Sequence, residues 1–362
     1  NAIKDVAAGE VQGVKMFEKA FNYLRAGVSI SAMGWNLGTG LLQPFGLTQS
    51  MVRIGPIWVA RAMLRFFSGA AWMEDSVKEI YEQSSFMRLR SKTMDREIND
   101  IRNKIVRTGF ADKTLGPVRE SFFYLIVKAQ QLADIPTWLA AQEKARASGY
   151  DEETVIALAD QAVIDSQGSG HIKDLAQVQR GSPLLKLWTN FMSYFQTTFN
   201  LSMDSLGRTK WTDPMSIGRL AVDFFLLYTA PIALSFYLRE AILKGECDHG
   251  RDWKCVGTQV AKEHASYMLS GMLVFRELSS AVQGFTGYQG PAGARFFSDM
   301  TRAAQQAWQG ELDEALVKSW WDAGGVLLHF PGNQTKKVFE GFMALQSGDT
   351  DIPTAPLFGY SK

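Results

Sequence analysis

Apolar positions along the chain recur at spacings of three and four, and no stretch alternates convincingly at a spacing of two. That pattern predicts an all-α chain with no substantial β-sheet. In residues 3–26 one stripe carries Val11, Val14, Phe17, Phe21 and Leu24, with Gly27 as the expected stop. Residues 26–52 hold no charge, and five glycines and Pro44 interrupt them. Ser31, Gly34 and Gly38 follow at spacings of three and four, which leaves a helix face without bulk, suited to close approach of another helix in lipid or in protein. A mostly apolar helix is expected over 47–67, started or kinked by Pro56. Residues 72–108 are charged and periodic, one helix or a pair, with Ser91 as a candidate internal cap.

A long helix is expected over 117–148, bent at Pro136 and stopped by Gly149. Asp151 then caps an amphipathic helix whose apolar face is Val155, Leu158, Ala159, Ala162 and Val163, and 166–170 reads as a turn. Ser182-Pro183 and Asp213-Pro214 are two further helix starts. Trp188, Phe191, Phe195 and Phe199 follow the first and predict a buried helix-packing stripe. The second opens an apolar helix running towards Leu243. A polar loop at 245–254 precedes an apolar helix near 256–283, and Gly284, Gly287, Gly290 and Gly293 mark an extended connector. Helices are expected near 293–309, 311–323 and 333–347. The chain thus divides into a helical body (1–245), a C-terminal helical subdomain (256–347) and an irregular surface tail (348–362). The expected architecture is an elongated multi-helix assembly whose helices are broken by Pro and Gly.

With 362 residues, 46% hydrophobic and 21% charged, the chain has the composition of a folded protein. Aromatics at 12% supply bulk for a core or an interface. A net charge of +1 argues against a global electrostatic grip on DNA. The densest basic run, 88–107, intersperses Arg88, Arg90, Lys92, Arg96, Arg102, Lys104 and Arg107 with Asp95, Glu97 and Asp100, and reads as a solvated helix face. The first residue is Asn1, which reads as a processed or excised start, and Lys4, Asp5, Glu10, Lys15 and Glu18 break up any signal-like apolar run. Residues 220–238 are the best membrane candidate, through Phe224, Phe225, Leu227, Ile232 and Phe236. Their uncharged core of fifteen residues falls short of the roughly 20 that span a bilayer. The reading favours a helix buried in protein, with a membrane-inserting helix as the alternative.

Chemistry is sparse. The four histidines, His171, His249, His264 and His329, are too scattered to propose a triad, and no phosphate-loop, zinc-protease or nucleophile-elbow motif occurs. No catalytic residue and no cofactor is read for this segment, and it is not read as an enzyme. The one cluster worth weighing is Cys247, His249 and Cys255, for which a disulfide, a metal site and unlinked thiols all stay open.

The stretch 132–200 carries Asp134-Ile135-Pro136, Trp138, Gly149-Tyr150, Ala159-Asp160, Gln167-Gly168-Ser169, Arg180-Gly181-Ser182-Pro183 and a Phe191-to-Asn200 run rich in Phe and Tyr. It resembles a helical region near the C-terminus of the large internal virion, or ejection, proteins of tailed bacteriophages and related large polyvalent proteins. The resemblance implies a non-catalytic helical module stored in the capsid near the portal. It further implies self-association, contact with other virion proteins, and delivery through the host envelope during genome ejection, with host-membrane or DNA contact in prospect. An enzyme of the longer parent, such as a virion RNA polymerase, would then lie elsewhere. The competing expectation is a membrane-associated helical protein of a bacterium or mobile element.

Overall fold

A computed structural model describes residues 15–93, 121–168, 193–242, 252–270 and 314–359, with isolated positions from 296 to 308. Among the described residues all regular structure is helical, as the periodicity predicts. The helices are α1 (Lys15–Met33), α2 (Leu37–Leu42, continued by a 3₁₀ turn, Gln43–Gly46), α3 (Leu47–Ile54), α4 (Pro56–Phe66), α5 (Ala70–Gln83) and α6 (Ser85–Thr93). They are followed by α7 (Tyr124–Ala147), α8 (Glu152–Gln167), α9 (Ser193–Arg208), α10 (Pro214–Phe224) and α11 (Ala230–Ile242). The last four are α12 (Trp253–Ser270), α13 (Glu314–Leu327), α14 (Gly332–Ser347) and α15 (Ala355–Phe358). A π-helical turn, Phe225–Thr229, joins α10 to α11 without a break.

Local chemistry explains most boundaries. Asp151 and Asp213 cap α8 and α10 by accepting from the Thr154 and Met215 amides, and Pro214 fills the first turn of α10. Gly55, at φ +120°, separates α3 from Pro56, so that proline starts a helix instead of kinking one. Within the charged stretch the cap is Ser84 and not Ser91: the Ser84 hydroxyl accepts from the Met87 amide, whereas Ser91 lies inside α6.

The main core lies where α3 to α8 meet. Val59, Phe66, Ile80, Met87, Ile135, Trp138, Ala159 and Val163 pack there, almost wholly hidden from water. Of the face predicted for α8, only Leu158 turns outward. Pro136 sits inside α7, buried in this packing.

Gly27 does not end α1, which runs through it to Met33. The glycine is demanded from outside the helix: a Cβ there would come 1.9 Å from the Val326 carbonyl oxygen, a backbone atom that cannot yield alone. One turn on, the Ser31 hydroxyl sits 2.7 Å from where a Cβ of Gly325 would lie and 2.8 Å from that of Gly332. Gly34 similarly meets Pro331, at 3.0 Å. Small residues therefore let α1 approach the α13–α14 hairpin closely, as the sequence expectation for Ser31 and Gly34 required. Gly38 takes no part, because α1 has ended and Gly38 lies in α2 beside Asn36. The tail is not simply irregular. Its one-turn α15 buries Ala355 and Pro356 against α14, where Gly341 leaves room for their backbone.

Candidate functional site

The basic run read as a solvated face contains a buried residue. The Arg90 and Asp134 side chains are 6% and 5% exposed. Arg90 follows the core residue Met87 by three positions on α6, so helix geometry turns it inward. Its Nε donates to Asp134 Oδ2 at 2.7 Å and its Nη2 to Oδ1 at 3.1 Å, a two-pronged grip across α6 and α7. Nη1 donates to the Gly168 carbonyl and Nη2 to that of Gln167, so the same guanidinium closes the end of α8. Gln130 Nε2 adds a further donor to Asp134 Oδ1 at 3.0 Å.

From there a polar seam runs across the helices. Gln167 Nε2 donates to the Gly46 carbonyl and to Ser50 Oγ, both at 2.8 Å. Ser50 Oγ lies 2.6 Å from Thr137 Oγ1 and donates to Ser166 Oγ at 3.2 Å. Gln49 Nε2 reaches Thr198 Oγ1 on α9 at 2.8 Å, and the Ser202 hydroxyl meets that of Tyr228 at 2.9 Å. These groups engage one another, so the seam fixes the register of α3 and α6 to α9. Asp134, Gln167 and Gly168, three of the residues that carry the resemblance, belong to it.

Two more of them form a second polar contact. Asp160 Oδ1 accepts from Trp138 Nε1 and from Ser84 Oγ, each at 2.7 Å. Burial pushes the Asp160 carboxyl above its ordinary value of 3.8, while the Ser84 and Trp138 hydrogen bonds pull the other way. The folded state thus holds the proton more tightly than the unfolded one. This contribution to stability is complete below 3.8 and is lost as pH rises through the folded-state value. Asp160→Asn keeps an oxygen acceptor and removes the titration. Its stability relative to wild type should therefore increase as pH rises through that window, read as urea midpoints. A constant difference across the window would show that Asp160 ionises in the fold as freely as in the unfolded chain.

The predicted site residues are placed unevenly. Trp188 and Phe191 lie outside the described residues, as does the side chain of Phe195. Phe199 is 41% exposed, contrary to the expected buried stripe. The inward face of α9 is instead Leu201 with Thr197, Thr198, Ser202 and Ser205, where Thr198 meets Gln49, Ser202 meets Tyr228 and Ser205 donates to Asp223. In the candidate membrane helix, Leu227, Ile232 and Phe236 are buried, Phe224 stacks on Tyr228 and Phe225 faces out. Cys255 is disulfide-bonded, which removes it as a thiolate metal ligand; Cys247 and His249 lie outside the described residues. His264, set against Thr229 Oγ1 at 2.9 Å, joins α12 to the π turn. Among the described residues, no group of three or more His, Cys, Asp or Glu is arranged to hold a metal ion.

Arg90 is the residue that sequence reasoning missed, and its place on the Met87 stripe was the signal that could have found it. Comparison of the chain with protein-family models, with curated proteins and with solved structures finds no match.

Proposed function

We propose that this chain is a helical assembly module of a bacteriophage ejection protein, stored in the capsid near the portal and delivered through the host envelope with the genome. The observation that carries the assembly part is on α14. Phe339, Phe342 and Met343, at helical spacing, are 64%, 63% and 50% exposed. An apolar stripe turned to solvent is a surface in want of a partner, and self-association covers it without a second gene product. The resemblance of 132–200 supplies the virion context.

Mass photometry of the purified chain should show one discrete oligomer, and Phe339→Glu/Phe342→Glu should shift it to monomer. A wild type that stays monomeric at micromolar concentration overturns the assembly reading. Mass spectrometry of protease-treated virions should recover the chain from inside the capsid, and its absence there overturns the virion reading.

One observation favours the second reading, a membrane-associated helical protein of a bacterium or mobile element. Pro214–Leu238 is a 25-residue helix, long and apolar enough to cross a bilayer, with only 28% of its most apolar stretch buried.

A further inference from the structure

We propose that the outward face of Pro214–Leu238 seats on an anionic lipid bilayer, lying in the headgroup boundary without crossing it. Length alone permits a crossing, since 25 residues reach about 37 Å against a hydrocarbon core of about 30 Å. The inward side forbids it in this fold. Leu227, Ile232 and Phe236 are 0%, 4% and 2% exposed, and Phe236 packs on Val256 of α12. Asp223 is buried too and accepts from Ser205 Oγ at 2.6 Å. Crossing would strip these contacts and leave a carboxylate without its donor in hydrocarbon.

The outward side has a different character. Met215, Val222, Phe225, Leu234 and Tyr237 are all exposed, Met215 to 83%. The one-residue register shift of the π turn occurs between Phe225 and Leu234, so the exposed set continues from α10 into α11. Only two charges occur from Pro214 to Leu238: Asp223 faces the protein, and Arg219 is exposed. The face offered to a surface is therefore apolar with a single cation.

Further cations gather at the α10 end. Arg208 closes α9 and Lys210 lies in the turn before α10, both exposed, and burial with the positive charge of Arg219, Arg53 and Arg208 lowers the Lys144 ammonium from its ordinary value. The carboxylates there are engaged: Asp165 with Arg53 at 2.7 Å, Asp204 with Arg208 at 3.3 Å, and Asp213 with the first turn of α10. Among the described residues neither Lys144 nor Arg219 forms an ion pair. Trp211, 64% exposed, stands just before α10, and Tyr237 is exposed near the far end. Apolar bulk, an exposed arginine and aromatics at both ends are the chemistry of a headgroup boundary.

The inference does not rest on the virion reading, and its test is separate. The full chain is floated with vesicles of phosphatidylcholine alone and of phosphatidylcholine with phosphatidylglycerol. Wild type should float with the anionic vesicles, more weakly with the neutral ones, and lose the difference at high salt. Arg219→Gln should weaken anionic binding by about fivefold and leave neutral binding unchanged. Phe225→Asp should weaken both. Both positions are exposed, and circular dichroism with cooperative unfolding checks that the variants fold. No flotation with either vesicle, or wild-type flotation by folded Phe225→Asp, overturns the proposal. So does a result in which Phe225→Asp alters only the oligomeric mass, because the face would then be a protein contact.

Discussion

Replacing Arg90 with methionine should destabilise the protein by about 3–5 kcal/mol, because Asp134 then stays buried without its counter-charge. The Asp134 side chain is 5% exposed and, among the described residues, keeps only Gln130 as a side-chain donor once the guanidinium is gone. The carbonyls of Gln167 and Gly168 lose a donor in the same substitution. Arg90→Met/Asp134→Leu separates the cost of an orphaned charge from the worth of the pair. Apolar replacement of both partners is often neutral, so the double variant should recover most of the loss. Urea midpoints at constant slope measure both. A single-variant loss below about 1 kcal/mol would mean that Arg90 is solvated, as the charge pattern first suggests.

Trp138→Ala should cost a similar amount, about 3–5 kcal/mol, through the cavity left by the largest fully buried side chain. Trp138 is 0% exposed at the centre of the core shared by α3 to α8, so its neighbours cannot all relax into the space. Trp138→Phe keeps much of the ring and removes the Nε1 donor to Asp160, for which about 1 kcal/mol is expected beyond the lost volume. If alanine and phenylalanine prove equally mild, the indole is not a core element and the α7–α8 packing described above is wrong.

The contrast between Arg90 and Asp151 shows where local pattern stops. Asp151 could be named as a cap from sequence because its partner, the Thr154 amide, lies three residues on. Arg90 could not be paired in that way: Asp134 is 44 residues distant, and nothing within one helix turn reveals it. The two phenylalanines Phe199 and Phe236 make the same point with apolar groups. Both sit on helices found by spacing, yet one is exposed and the other buried, because α12 covers the second.

By itself the sequence determined the all-α class, the caps at Asp151 and Asp213, the stop at Gly149 and the small-residue face at Ser31 and Gly34. Each depends on backbone hydrogen bonds or side-chain size within about a turn, which a linear pattern records directly. Only the tertiary structure decided that Gly27 continues a helix and that Arg90 is inside. It also decided which face of Pro214–Leu238 remains open. These outcomes depend on what arrives from elsewhere in the chain: the Val326 carbonyl at Gly27, Asp134 at Arg90, and Ser205 at Asp223. Burial is a property of the assembled neighbours, so a residue's own position along the chain cannot fix it.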